Sequence, residues 1–191
     1  EVVGNTLRAF SLDASETQRV VDVMAKSFNE SSLDMERFST AMGTVAPVAA
    51  TAGVSLERTT ALLGTLVSAG VDASTAGTGL RNMFLELAKT GLTFEEAMEQ
   101  INSASNKNAA ALKLFGKRGA TVGNIIAKSG KQIDELEKSL KNAGGTAKKM
   151  ADEQLDTLTG QTQLMTSAWE GFILALDDGD GVIARVVRGA V

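Results

Sequence analysis

Three glycines stand just ahead of an arginine and a helical run in the stretch AGVDASTAGTGLRNMFLELAK, Ala69 to Lys89. Glycine-rich turns of this kind can cradle a phosphate, and spacing is the test. A phosphate loop of the form G-x-x-x-x-G-K-[ST] needs a lysine and a hydroxyl after its second glycine. Gly70 and Gly77 have the wrong spacing, and Thr78 stands where the lysine belongs. The dinucleotide pattern G-x-G-x-x-G is met only by Gly77 and Gly79, with Asn82 in third place and no strand ahead of it. The same residues read well as packing elements. Gly70 ends one helix in a left-handed C-cap, Asp72 or Ser74 caps the next, and Gly77 and Gly79 allow a close helix crossing.

Other chemistry is narrowed by what the chain lacks. Histidine and cysteine are both absent. That removes histidine-based triads, histidine acid/base pairs, disulfides and thiolate metal sites. Carboxylates remain. The run DDGDG, Asp177 to Gly181, would fit a calcium loop only with acids at Leu176 and Val187, and reads instead as a solvated turn. Glu95–Glu96 and Asp134–Glu135 are adjacent pairs, which diverge by about 100° on a helix and converge on nothing. The expectation is a non-enzyme with no catalytic, cofactor-binding or metal residues and no cofactor.

The elements that carry these residues are helical. There is one proline, Pro47, and only 4% aromatic residues with no tyrosine, while Ala, Leu, Met, Lys and Glu are plentiful. Asp13 with Glu16 makes a capping pair ahead of Val20, Val21, Met24 and Phe28. Asp34 opens a segment carrying Met35, Phe38 and Met42, which Pro47 is expected to kink or end. Ser55 opens a third, with Leu56, Leu62, Leu63, Leu66 and Val67. Ala76, Leu80, Met83, Phe84 and Leu87 follow at three- and four-residue spacings. Thr93 with Glu96 makes a capping box ahead of Ala97, Met98 and Ile101. The caps Asp13, Asp34 and Ser55 fall 21 residues apart, as stacked helical hairpins would place them.

Charge divides the chain. From Ile101 to Met150 there are ten Lys/Arg against three Asp/Glu, a net of +7 within a chain of net charge −4. Short helices are expected there over Ala109–Phe115, Val122–Lys128 and Ile133–Ala143, punctuated by Gly116, Gly119, Gly123, Gly130, Gly144 and Gly145. Beyond, Ala151, Leu155, Leu158, Thr162, Met165, Trp169, Phe172 and Leu176 alternate by four and three, a heptad seam on a helix of about 40 Å. Leu155, Leu158, Met165, Trp169, Phe172 and Leu176 are the candidate self-association residues. The predicted fold class is all-α: an array of short antiparallel helices followed by a long amphipathic C-terminal helix. The expected divisions are a helical array over 1–103, a basic short-helix region over 104–150, and the heptad helix and tail over 151–191, the whole a fragment of a larger protein. A second reading is a helical binding module using the basic middle to contact nucleic acid or another anionic partner. A third has residues 171–191 lying on a membrane.

Several segments, in order, resemble the helical region of tail tape-measure proteins of long-tailed phages and prophages. They are LDASETQRVVDVMAKSFNESSLDMERFSTAM, VAPVAATAGVSLERTTALLGTLVSAGVDASTAGTGLRNMFLELAK, ALKLFGKRGA and IDELEKSLKNAGGTAKKMADEQLDTLTGQ. The second is the most specific, with Leu-Leu-Gly, an Ala-Gly turn, and Ala-Gly-Thr leading into Leu-Arg. Where the family often carries a strand-like insert, Gly91 to Leu112 is shorter and more helical. The resemblance implies a virion component that scaffolds tail-tube assembly and sets tail length. Its implied partners are other copies of itself and the tail-tube and tail assembly proteins, with DNA or membrane contact as minor alternatives. Its implied places are the virion tail and, during assembly, the host cytoplasm.

Overall fold

A computed structural model describes residues 1–156 and residue 162. Among these residues every regular element is helical: α1 (Val2–Ala9), a 3-10 turn (Ala14–Glu16), α2 (Thr17–Glu30), α3 (Met35–Thr51), α4 (Leu56–Ser68), α5 (Ala73–Thr90), α6 (Phe94–Ser103), α7 (Lys107–Lys128) and α8 (Gly130–Lys141). Residues 146–156 are helical again. Residues 1–147 form one packed unit, and a second begins at Lys148.

Most helix starts follow from their caps. The side chains of Asp34, Ser55, Asp72 and Thr93 each accept the backbone N–H three residues on, satisfying a donor the helix itself leaves open. Glu96 returns the bond to the N–H of Thr93 at 2.8 Å, completing the capping box. Asp13 differs from expectation. It accepts from Ser15 N–H and opens the 3-10 turn, while Glu16 pairs with Arg19 instead of reaching back. Pro47 does not end α3, which continues to Thr51. Pro47 and Gly43, the residue whose carbonyl loses its partner, are both exposed, so water can take the missing bond.

Two helix ends repeat one device. In Ala52-Gly53-Val54 and again in Ala69-Gly70-Val71, the glycine has φ near +73° and +86° respectively. The valine N–H bonds back to Ala49 and Leu66, and the glycine N–H to Ala50 and Val67. These are paired six-to-one and five-to-two bonds that close a helix around a left-handed residue. The next residue, Ser55 or Asp72, caps the following helix, so each connection is only four residues long.

The core lies along α4 and α5. Residues 59–67 of α4 are all buried, Thr59, Thr60 and Thr65 with the apolar residues, so this helix is covered on every side. α5 packs on α3 and on α7. Both contacts use the glycines noted in the sequence. A Cβ on Gly77 would lie 2.6 Å from the carbonyl oxygen of Ala41 on α3, and one on Gly79 would lie 2.6 Å from Val122 Cγ1 on α7. Phe38, Phe84, Phe115, Leu62 and Leu63 fill the space between.

α7 is broken in the middle. Gly116 has φ 64° and ψ 178°, a conformation essentially restricted to glycine. Its two halves, with α8, correspond to the three short helices expected in the basic region. The described residues from Gly91 to Leu112 are α6 and the start of α7, helical as expected.

Candidate functional site

The glycine-rich stretch that opened the chemical question is a structural turn and crossing. Gly70 is exposed at its turn, while Gly77 and Gly79 are buried with neighbouring helices pressed against them. The two carboxylate pairs are likewise structural. Glu96 belongs to the capping box, which holds its carboxyl below the usual range. Asp134 accepts from Arg58 at 2.5 Å, and Glu135 faces Lys131 at 3.9 Å. DDGDG, the residues 171–191 considered for membrane contact, and Leu158, Met165, Trp169, Phe172 and Leu176 of the seam lie outside the described residues. Leu155 is described and is 60% exposed.

Sequence reasoning missed two polar anchors, one half-buried and one buried. The first is Arg58 on α4. Its guanidinium donates to Asp134 and to Glu137 (2.9 Å) on α8, and it lies 5.4 Å over the Phe94 ring on α6. Next to it, Glu57 takes both Nε and Nη2 of Arg19 from α2, at 2.7 and 3.0 Å. This forked pairing suits a planar guanidinium. Neighbouring residues thus tie α4 to α2, α6 and α8. Only the adjacency of an acid and a base after the Ser55 cap could have hinted at it.

The second anchor is Asp22 on α2, buried within a helix the sequence marked only for its apolar face. Its carboxylate accepts the N–H of Gly145 at 3.0 Å and of Ala147 at 2.9 Å. It therefore caps, from over a hundred residues away, the helix over 146–156. Burial raises its carboxyl pKa, but those two N–H bonds and a contribution from Gln18 outweigh it, and the net effect is lowering. Nothing in the local pattern around Asp22 announces this.

One open surface among the described residues lies at the break in α7. Where Gly116 turns the chain, Leu85, Glu86 and Lys89 of α5 face Phe115, Lys117 and Arg118 of α7 across a shallow groove. The ring of Phe115 folds back along Gly119 and Gly123 and is buried, whereas Leu85 is 37% exposed. Lys89 is paired with Glu86 at 2.7 Å. Lys117 and Arg118 are exposed and form no ion pair among the described residues. The geometry offers binding of a partly apolar, acidic surface. Among the described residues no group of acids is placed to hold a metal ion, and no helix is long and apolar enough to cross a membrane.

Comparison with known proteins bears on what this body belongs to. The chain is 29% identical to the tape measure protein of Pneumococcus phage Dp-1, in an alignment that covers all of this chain and 19% of that protein. It is 26% identical to the probable tape measure protein of Escherichia phage P2, over 95% of this chain and 26% of that protein. The chain therefore spans about a fifth to a quarter of the length of these curated relatives. No solved structure matches it. A family model described as phage-related minor tail protein matches residues 1–117, the stretch from α1 through the first half of α7 that carries Gly77, Gly79 and Arg58, and the chain belongs to that family.

Proposed function

We propose that this chain is a structural component of a phage tail and acts as part of the tape-measure scaffold that sets tube length. The observation that carries this reading is that similarity to two tape measure proteins runs through essentially the whole chain. The helical fold, with its side chains committed to packing and helix capping, agrees with a structural task. The apolar seam from Leu155 to Leu176 would join copies side by side, as several copies sharing one tube require.

The test is tail length by electron microscopy after in-frame deletion of this segment from the parent phage. If the segment lies in the tube as extended helix, losing 191 residues shortens tails by about 290 Å at 1.5 Å per residue. Tails of unchanged length would overturn the ruler role for this segment and assign the folded unit another task in the tail. Loss of all tails would mean that assembly cannot start without it.

A further inference from the structure

We propose that the groove at the break in α7 receives the acidic face over residues 152–156 of the helical segment 146–156 from a second copy of this chain. On one side stand an exposed leucine, Leu85, and Lys117 and Arg118, cations with no ion pair among the described residues, with Lys89 already balanced by Glu86. On the other side, Asp152, Leu155 and Asp156 are all exposed. Their spacing of three and four residues puts them on one face of the helix. Lys149 faces Glu153 at 3.9 Å, while Asp152 and Asp156 form no ion pair among the described residues. The match is an apolar residue flanked by acids against an apolar residue flanked by bases, the arrangement by which an amphipathic helix lies in a groove. Nucleic acid fits less well. A phosphate backbone would gain nothing from Leu85, whereas Leu155 would pack on it.

Groove and helix are different surfaces of one chain, so the contact is head-to-tail. Each copy docked through its helix still offers its own groove to the next. The inference does not rest on the ruler reading, and it competes with the seam for Leu155 alone.

The experiment is sedimentation velocity of the full chain over a range of concentrations, at low and high salt. The wild type is expected to sediment as larger species at low salt and to revert towards single copies as salt screens the pairing. Lys117→Glu with Arg118→Glu, and separately Asp152→Lys with Asp156→Lys, should each abolish these species. An equimolar mixture of the two variants should restore them, because each supplies the helix that the other's groove now accepts. Leu85→Ala should weaken association by about tenfold without altering charge. All five positions are exposed, so circular dichroism should show the wild-type helix content throughout. A wild type that stays single at every concentration overturns the proposal, as does association that survives both charge reversals, which would point to the seam. A mixture that fails to associate overturns it too, because the two charged surfaces would then not be each other's partners. Retention of duplex DNA by the wild type, lost with the Lys117/Arg118 variant while copies never associate, also overturns it in favour of nucleic acid.

Discussion

Asp22 shows how much one carboxylate can hold. Replacing it with alanine removes two hydrogen bonds that the N–H groups of exposed Gly145 and half-buried Ala147 make to a buried carboxylate, which costs about 1–3 kcal/mol. The loss is expected first in the segment it anchors, so hydrogen exchange at those two amides should accelerate more than exchange in α4. The pH dependence has a definite sign. A folded-state pKa below the unfolded value means that this stabilisation is full above the ordinary aspartate range and is lost as pH falls through the folded value. Acid should therefore loosen the start of the 146–156 helix, and Asp22→Asn should remove that acid-dependent step. Glycine gives a second residue-scale contrast, because one substitution has opposite signs at two helical sites. Gly77→Ala drives a methyl into the Ala41 backbone, which cannot rotate away, and should destabilise by about 1–3 kcal/mol. Gly43→Ala meets no atom within 4 Å and sits in a helix interior, so it should gain about 1 kcal/mol. Thermal melts of the two variants shifting in the same direction would contradict this account.

At the scale of the helix, the break at Gly116 separates what local pattern can specify from what it cannot. Caps and apolar spacing made most elements readable: Ser55, Asp72, Thr93 and the run from Ala76 to Leu87 are where the structure places caps and core. Met35 was misleading, for it has the right spacing yet, as the first residue of α3, is 52% exposed. Helix α1 gave no capping signal, and its Glu1 cap makes no side-chain bond. Gly116 was readable as punctuation, but not the extended conformation it adopts or the groove that results. That groove depends on α5, some thirty residues earlier, and pairings over such distances leave no local trace. The same holds for Asp22 and Arg58, whose partners lie on distant helices. Alanine at position 116 must either strain into a region that side chains avoid or let α7 run straight, pulling Phe115 away from Gly119 and Gly123. We expect a loss of about 1–3 kcal/mol in denaturant unfolding. Gly116→Ala as stable as the wild type would mean that the break is not held by its glycine.

For the molecule as a whole, the tension lies between a folded unit and a role read from length. Residues 1–147 bury a continuous core from Val20 to Ala143, and their helices are joined by connections of a few residues, of which those after α3, α4 and α5 turn at the left-handed glycines Gly53, Gly70 and Gly91. Such a chain, free in solution, should have a radius of gyration of about 15 Å, as expected for a globular unit of this size. The same residues drawn out as one helix would be about 220 Å long. Drawing them out would expose Phe38, Phe84, Phe115 and the leucines of α4 to water, each at a cost of about 1.5–3 kcal/mol. That exposure has to be offset by burial against other surfaces in the tail. The folded form and a ruler role are therefore compatible only if assembly supplies the compensating contacts. Small-angle scattering on residues 1–147 checks the free state, and a radius several times larger than 15 Å would show that the chain is already drawn out before it meets a tube. Should the radius be near 15 Å while deletion of the segment still shortens tails by its full helical length, the energy for opening this core must come from packing inside the tube. Mutations that stabilise the free fold, Gly43→Ala among them, would then slow tail assembly instead of helping it.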